Sequence, residues 1–502
     1  MRTRTVTLAD LDQVVDLFWA CWTRSYPAFA SPEELACLDL DQARRLWHDA
    51  LTGPGEGLVL DDGQRLVAMT RWRREGDLVE VGSLYVHPDA QRQGLGARLL
   101  QAATAGAREA RLWVFSANQA ARDFYAAQGW LPDGISRTEP AYPMPQTRLV
   151  REPALSLAGL AEQMLTRRVC VTAAETPPRA MVLATSDHGT CAAGVRNLAG
   201  DPVSTSTWFD LASVTKLVTT VALIQLVSRG QVDLDAPAGR YWAPAGDLVV
   251  RDLLTHRSGL LPWQPLYLLT QDRDQALLAA LAQPRQAPGV RRYSDLSFQV
   301  LGETVAQVAG EPLPGAIRRL VCEPLGVDLR YGPDLPADAE IASGALDDRV
   351  EQRMIATGEP YPVIVSGSFT GWRTSEVVGQ VADGNAYHAL GGVSGHAGLF
   401  ATVPQLLRLG EQLARPTVLD PATVSLFCQD GPDQGQALGF RTQDLPDGRQ
   451  LVYHPGYTGC SVGFIPDGAA VAVGCNRLLT DGEPVPNVRL LEHLVAMMDR
   501  LR

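Results

Sequence analysis

The segment FDLASVTKLVTTVALIQLVSRG, residues 209–230, contains Lys216, the only lysine in the chain. Every other one of the 44 basic residues is an arginine. Arginine keeps its proton under all conditions that a protein meets, whereas a buried lysine can lose one. The exception therefore marks a position where a neutral amine would be chemically useful.

Ser213 lies three residues before Lys216, and residues at this spacing are neighbours on one face of a helix. The apolar periodicity of residues 213–229, followed by Gly230, predicts such a helix. A serine in its first turn has an amine beside it and free backbone N–H groups that can stabilise the charge on an attacked carbonyl. The spacing alone is a weak motif, so a nucleophile here needs partners elsewhere in the chain.

Composition limits the kind of protein this is. A chain of 502 residues with 46% hydrophobic and 20% charged residues predicts two or three well-packed domains. A net charge of −12 argues against a nucleic-acid partner. We find no secretory leader and no apolar run long enough for a membrane partner. The eight cysteines form no C-x-x-C pair or Cys/His cluster, which predicts no metal and a cytoplasmic protein with free thiols.

Residues 1–150 alternate between strand and helix patterns, and one junction suggests a ligand site. The segment SLYVHPDAQRQGLGARLL, residues 83–100, reads as a strand, a glycine-rich turn and a helix. Gly94 and Gly96 would let a ligand approach the backbone, and the helix start would offer N–H groups to a phosphate.

With the later segment N-x-x-A-x-x-F-Y, which starts at Asn118, this pattern resembles the GNAT-type N-acetyltransferases across residues 1–150. The resemblance implies acetyl-CoA as co-substrate, with its pyrophosphate on the amides of Gln93 to Gly96. The residues implied in its binding are Leu84, Tyr85, Val86, Gln91, Arg92, Gln93, Gly94, Leu95, Gly96 and Asn118. Tyr125 is the implied acid for the departing thiolate, or else a core residue. Glu80 is a possible base for the acceptor amine, or else a solvated strand residue.

Two further elements follow Ser213 in the order that a serine hydrolase would need. They are Tyr293-Ser294-Asp295 and, near the C terminus, His454-Pro455-Gly456. Together with Ser213-x-x-Lys216 they resemble the serine β-lactamases and penicillin-binding proteins, in the branch of the class C enzymes and esterases. The resemblance covers residues 155–502 and implies an antiparallel sheet with an all-helical subdomain.

The roles of individual residues follow from that resemblance. Ser213 would attack an acyl carbonyl, while Lys216, its pKa lowered by burial, and Tyr293 would pass the proton as a coupled pair. The amides of Ser213 and Tyr457 would bind the oxyanion. His454 would orient the substrate or tune this pair, with Asp295 adding negative charge where β-lactamases have an amide. Asp295 and Pro455 both depart from β-lactamases and argue against efficient β-lactam hydrolysis, and we expect His256 and His396 to organise loops.

The two resemblances therefore imply an α/β (α+β) protein of two enzymatic domains that act on small molecules. The first would be a mixed GNAT sheet flanked by helices, and the second a β-lactamase-like hydrolase of the esterase, amidase or D-amino-acid peptidase type. We place the first domain at 1–150, a linker at 151–154 and the second domain at 155–502. The alternatives are a hydrolase with a regulatory acetyl-CoA-binding domain, a true β-lactamase or carboxypeptidase, and a non-catalytic binding module of this fold. The hydrolase could also release an amine that the acetyltransferase then acetylates. The sequence leaves the oligomeric state open.

Overall fold

The chain divides into two units near residue 155. The computed structural model describes residues 2–139, 141–151, 156–429, 431–445, 448–498 and 501. One unit comprises Met1–Leu155 and Glu492–Arg502, and the other comprises Ser156–Leu491. Of the predicted linker, Arg151 ends a strand, and residues 152–154 lie outside the described part of the chain.

The first unit is built on a seven-stranded mixed sheet, as predicted. The strand order is β1-β2-β3-β4-β5-β7-β6, in which β4 and β5 are parallel and the other neighbours antiparallel. The strands are β1 Arg2–Thr5, β2 Glu56–Asp61, β3 Leu66–Glu75, β4 Leu78–Val86, β5 Glu109–Phe115, β6 Leu131–Glu139 and β7 Tyr142–Arg151. The helices are α1 Leu11–Arg24, α2 Pro32–Leu35, α3 Leu40–Thr52, α4 Leu95–Ala103 and α5 Gln119–Ala127.

Two local features of this unit differ from the sequence pattern. Apolar spacing over 31–51 by itself predicts one helix, but Ser31 and Asp39 each cap a helix of their own, α2 and α3. The proline-rich stretch after residue 138 suggested a single short strand near 146–150. The chain instead forms the β6–β7 pair, and β7 tolerates Pro143 and Pro145 because its pairing with β5 begins only at Gln146.

The second unit is built on a six-stranded antiparallel sheet of order β10-β9-β17-β16-β15-β14. A three-stranded sheet, β11-β13-β12, and a parallel pair, β8 and β18, accompany it. The strands are β8 Glu175–Thr176, β9 Ala180–Thr185, β10 Gly189–Gly194, β11 Trp208–Asp210, β12 Arg330–Tyr331, β13 Leu399–Thr402, β14 Arg441–Asp444, β15 Gln450–Pro455, β16 Ser461–Phe464, β17 Ala470–Cys475 and β18 Glu483–Pro484.

Helix α7, Val214–Ser228, lies at the centre of the second unit. It is mostly apolar and is buried from Val214 to Leu226 on all its faces, as expected of a helix enclosed by other elements. It packs against α10, α15 and β15, so the sheet and the helical part of the unit meet on it. The remaining helices are α6 Leu157–Met164, α8 Val250–Leu254, α9 Arg273–Ala282, α10 Asp295–Ala309, α11 Leu313–Ile317, α12 Glu323–Leu325, α13 Arg349–Thr357, α14 Val403–Ala414, α15 Pro421–Cys428 and α16 Asn487–Met497. None of the described helices combines the length and the apolar character that crossing a membrane requires.

Candidate active sites

The first candidate site begins at the turn before α7. Ser213 is the residue that precedes the helix, and Ala212 before it has a φ of 42°, which is costly for a residue with a side chain. The buried carboxylate of Asp210 fixes this turn by accepting a hydrogen bond from the amide of Ala212 at 2.8 Å. The strain is therefore held in place by the surrounding structure, and it presents Ser213 at the start of the helix.

Lys216 lies one turn along α7 and is fully buried. Its Nζ donates to Ser213 Oγ at 2.7 Å and to the carbonyl of His396 at 3.3 Å. It also forms an ion pair with Asp295 Oδ1 at 2.8 Å. Nζ therefore has two hydrogen-bond acceptors, Ser213 and His396, and a counter-ion in Asp295.

This ion pair corrects the expected charge state of Lys216. Burial lowers the pKa of the lysine, as predicted, but the negative charge of Asp295 and contact with Tyr293 outweigh burial. The net effect is a pKa above the ordinary value for lysine. The prediction of a depressed pKa was wrong because it did not include a carboxylate from the start of α10 in direct contact with Nζ.

Tyr293 completes the group around Lys216. The centroid of its ring is 5.1 Å from Lys216 Nζ and 4.6 Å from the ring of His256. His256 holds the segment that carries Tyr293, because its Nδ1 accepts from the amide of Ser294 and its carbonyl accepts from the amide of Arg292. The structure thus places the S-x-x-K and Y-S-D segments together, and His256 organises the loop between them.

His454 lies on β15, on the other side of this group. It is 2% exposed, and its pKa lies well below the ordinary value because burial and the nearby positive charges of Lys216 and Arg441 disfavour the imidazolium. The side chain is therefore a neutral imidazole at neutral pH. Its Nδ1 lies 3.0 Å from the carbonyl oxygen of Pro455, which can only accept, so Nδ1 carries the proton and Nε2 is left to accept one hydrogen bond from a substrate. The ring does not supply a positive charge.

The turn after β15 carries the second amide of the predicted oxyanion site. Among the hydrogen bonds between described residues, neither the amide of Ser213 nor that of Tyr457 is a donor. Thr458 Oγ1 donates to the carbonyl of Asp210 at 2.7 Å, which ties this turn to the one before Ser213. Gly456 is required here, since a Cβ would lie 2.3 Å from the carbonyl oxygen of Leu211. Two amides without protein acceptors therefore come from two turns that are packed together.

Two residues of this site were missed by sequence analysis. Asp210 has a pKa of about 6, raised by burial although the amides of Ala382 and Ala212 donate to it. The guanidinium of Arg441, on β14, is 5.5 Å from the ring of Tyr293, and its buried Nε has no partner among the described residues. Asp210 was missed because it lies in the opening segment at a position with no assigned role. Arg441 was missed because it lies in none of the recognised motifs.

The second candidate site lies in the first unit, where β4 and β5 separate. The two strands pair in parallel only from Leu78–Val81 to Glu109–Leu112, although β4 continues to Val86 and β5 to Phe115. In the described sheet the backbone of Leu84 to Val86 therefore has no strand beside it on the β5 side. Such an opening suits an extended arm like that of coenzyme A.

The glycine-rich turn follows directly after β4. Arg92 and Gly94 both have positive φ values, 60° and 77°, and the exposed turn leads into α4 at Leu95. First-turn amides of a helix have no acceptor within the helix, and the dipole there favours an anion. The turn and the strand opening thus fit a ligand with a phosphate and an extended chain, with Gln91, Gln93 and Gly96 in the same segment.

The other predicted residues of this unit also take part in packing, helix capping or an ion pair. Tyr125 is buried, its ring centroid is 5.1 Å from that of Phe124, and burial raises its pKa. Asn118 Oδ1 caps α5 by accepting from the amide of Ala121 at 3.1 Å. Glu80 is not a free carboxylate, since Arg111 Nε lies 2.5 Å from its Oε2. Because Tyr125 packs with Val79 and Val81, Glu80 lies on the opposite face of the sheet.

Comparison with known proteins agrees with this division. The beta-lactamase family profile matches residues 171–494, and that of the acetyltransferase (GNAT) family matches residues 11–130. A protein of Escherichia coli (strain K12), provisionally named a D-alanyl-D-alanine carboxypeptidase, is 30% identical over 270 residues, 47% of this chain and 59% of that protein. Its counterpart from Escherichia coli O157:H7 is 33% identical over the same length and coverage.

Among solved structures, the D-amino acid amidase from Ochrobactrum anthropi SV3, complexed with L-phenylalanine amide, has a similar fold. Its TM-score is 0.51 at 20% sequence identity, over 68% of this chain and 98% of the amidase. The chain spans about three fifths of the curated relatives that it matches. The family match covers more than half of the chain: this protein belongs to the beta-lactamase family, and it carries a GNAT-family acetyltransferase domain at its N-terminal end.

Proposed function

We propose that the chain is a bifunctional enzyme, a serine hydrolase that acts through an acyl-enzyme on Ser213 and an acetyl-CoA-dependent N-acetyltransferase. The observation that supports the hydrolase is the buried arrangement of Lys216 between Ser213 Oγ, at 2.7 Å, and Asp295, at 2.8 Å. A buried lysine with a buried counter-ion is costly to desolvate, and structural needs do not explain why its Nζ donates to a serine.

The charge state of Lys216 determines how the proton moves. Because Asp295 keeps the amine protonated, Lys216 itself is not the base, and the proton of Ser213 passes to the oxygen of Tyr293 with the ammonium of Lys216 beside both groups. The Ser213 oxygen then bonds to the substrate carbonyl carbon, and the oxyanion receives hydrogen bonds from the amides of Ser213 and Tyr457. The C–N or C–O bond breaks when Tyr293 returns the proton to the leaving group. Water attacks the acyl-enzyme by the same route and restores Ser213.

For the substrate we propose an amide of a D-amino acid that carries a free carboxylate. The names of the relatives, a D-alanyl-D-alanine carboxypeptidase and a D-amino acid amidase, suggest the acyl chemistry. Arg441 suggests the carboxylate, since its buried Nε lacks a partner among the described residues, and its guanidinium lies over Tyr293. Neutral esters and penicillins are the alternative substrates.

Intact-mass analysis tests the hydrolase. We expect a fluorophosphonate to add one adduct to the wild-type chain and to Ser228→Ala, a control in the same helix, but none to Ser213→Ala. An adduct that persists in Ser213→Ala would remove Ser213 as the nucleophile. Lack of any adduct would favour a non-catalytic binding module. Mass shifts with D-amino-acid dipeptides, amides, esters and penicillins then rank the acyl groups.

The acetyltransferase is supported by the opening between β4 and β5 and by the turn before α4. Acetyl-CoA would supply an activated acetyl group there, with its phosphates on the amides of Gln93 to Gly96 and with Asn118 nearby. The acceptor nitrogen bonds to the acetyl carbon and loses a proton, the C–S bond breaks, and the thiolate takes a proton from Tyr125. The rival hypothesis is a regulatory domain that binds acetyl-CoA without transfer.

Calorimetry and a free-thiol assay separate these two hypotheses. Binding of acetyl-CoA together with thiol release in the presence of an amine supports transfer, whereas binding without release for any amine supports regulation. If the two activities are coupled, the amine that the hydrolase releases should be an acceptor for the acetyltransferase. A hydrolase product that is never acetylated would contradict the coupling.

A further inference from the structure

Four charged side chains lie together on one face of the first sheet. Arg111 on β5 pairs with Glu80 on β4 at 2.5 Å, and Arg137 on β6 pairs with Glu139 at 2.5 Å. These side chains are between 22% and 34% exposed, so a ligand from solvent can reach them, yet they are partly shielded from water. The charges of Glu80 and Arg111 interact with Arg137, so the two ion pairs form one electrostatic group.

Aromatic rings adjoin this charged group. The guanidinium of Arg137 lies 4.1 Å above the ring of Trp113. A cluster of four aromatic rings, which we call the aromatic wall, lies further along β5 than Trp113. Its neighbouring ring centroids are 5.0 to 6.1 Å apart. The wall consists of Tyr26, Phe29, Phe115 and Tyr142. All four rings are partly exposed, which leaves apolar surface beside four charges.

Both features lie where the two parallel strands part. Glu80 and Arg111 are opposite each other one position before the last pair, Val81 and Leu112. Phe115 lies beyond that point, on the end of β5 that pairs with β7 but no longer with β4. The charged group and the aromatic wall therefore flank the mouth of the strand opening, on the face away from Tyr125.

We infer that this face binds the acetyl acceptor, and that the acceptor is a zwitterionic α-amino acid with an aromatic or large apolar side chain. The inference rests on the acetyl transfer proposed above and names its second substrate. The ammonium pairs with Glu80 at the opening, the carboxylate pairs with Arg111 and Arg137, and the side chain lies against the aromatic wall. An amino acid matches the site because its ammonium replaces Arg111 beside Glu80 and its carboxylate replaces Glu80 beside Arg111, so both residues keep a counter-ion. Arg137 keeps its ion pair with Glu139 and adds a second contact to the ligand carboxylate.

The transfer step is balanced without any further reagent. The ammonium first gives one proton to Glu80, which passes it to water, and the neutral nitrogen then forms an N–C bond to the acetyl carbon. The C–S bond breaks, the second nitrogen proton goes to water, and the thiolate takes the proton of Tyr125, which water restores. The products are an N-acetyl amino acid and a free thiol. The product has lost its positive charge and no longer matches Glu80, which favours its release.

A set of truncated acceptors tests this inference. We expect L- or D-phenylalanine to bind full-length Ser213→Ala protein saturably in calorimetry with coenzyme A present. Phenethylamine lacks the carboxylate, hydrocinnamate lacks the amine and alanine lacks the ring, and each should bind at least about tenfold more weakly. Equal binding of any of these analogues, or no saturable binding of phenylalanine, would overturn the inference.

Variants locate the site and separate it from the transfer reaction. Arg111→Gln should weaken phenylalanine binding by about tenfold and leave phenethylamine binding unchanged, whereas Arg45→Gln, an exposed control on α3, should change neither. An equal loss for both ligands would also overturn the inference. Phenylalanine binding without thiol release from acetyl-CoA would contradict the proposed acetyl transfer while leaving the binding site in place.

Discussion

The two candidate sites each contain a cation paired with a carboxylate, but the pairs differ in burial. Lys216 and Asp295 are 0% and 14% exposed, whereas Arg111 and Glu80 are 22% and 34% exposed. A buried pair is fixed, because removal of one partner leaves a charge without water or a counter-ion. A partly exposed pair contributes little to stability and can exchange its partner for a charged ligand. Burial thus separates a pair that sets a protonation state from a pair that selects a ligand.

Loss of the buried cation should have the largest effect on both activity and stability. Lys216→Met keeps much of the side-chain volume but leaves Ser213 without its donor and Asp295 without its counter-ion. We expect fluorophosphonate acylation to slow by about 10³-fold or more. The variant should also lose about 3–5 kcal/mol of stability.

Time-resolved mass spectrometry and thermal unfolding measure these two effects. The double variant Lys216→Met/Asp295→Asn should recover part of the stability but none of the acylation rate, because it also removes the uncompensated charge. A single variant as stable as the double variant would show that the ion pair does not act as a buried charge pair.

Asp295→Asn removes the carboxylate and keeps the lysine. Burial then dominates, so the pKa of Lys216 should fall from its raised value. We expect acylation at neutral pH to slow about tenfold to a hundredfold. The alkaline limb of the rate–pH profile should move to lower pH, because the working ammonium is lost earlier. Stopped-flow rates across pH check this, with the exposed Asp274→Asn as control, and an unmoved alkaline limb would contradict the role of Asp295.

Local patterns predicted some elements of each unit, and the family resemblances supplied the two folds. The mostly apolar run of α7, the spacing of Ser213 and Lys216, and the strand–turn–helix before α4 are each contained in a short segment. Family resemblance then supplied Tyr293 and the H-x-G strand. The same local reasoning merged α2 and α3, since it followed apolar spacing and overlooked the caps at Ser31 and Asp39.

Long-range charge contacts could not be predicted in this way. Asp295 is 79 positions from Lys216, and only the fold shows that its carboxylate is 2.8 Å from Nζ and reverses the effect of burial on the pKa. Arg441 belongs to no motif, and Asp210 had no role assigned within the opening segment. Only the fold makes them visible, through an unpartnered Nε and a raised pKa respectively. Glu80 is the reverse case, because its sequence position suggested a free base and the fold pairs it with Arg111.

Asp210 is a second kind of buried carboxylate, because it accepts hydrogen bonds from backbone amides and has no cation in direct contact among the described residues. Its pKa is about 6, so the native state retains a proton that the unfolded chain loses near pH 4. Stability must therefore fall as pH rises between these values, by roughly 3 kcal/mol. Asp210→Asn lacks this titration, and it also loses one of the acceptors for Ala212 and Ala382.

The variant should consequently be less stable than the wild type at pH 4, and the difference should shrink as pH rises to 7. Thermal unfolding of both proteins across this range measures the difference, in which groups that titrate equally cancel. A constant difference would mean that Asp210 is ionised throughout.

The smallest effect is expected for the exposed pair. Arg111→Gln should change the free energy of unfolding by no more than about 1 kcal/mol, because water replaces the guanidinium beside Glu80. Added salt should reduce even this difference, since it screens partly exposed charges. Denaturant unfolding at low and high salt measures both, with Arg45→Gln as the matched control. A loss as large as that of Lys216→Met would show that Arg111 and Glu80 are a structural pair, and it would remove the reason to regard them as free to exchange partners with a ligand.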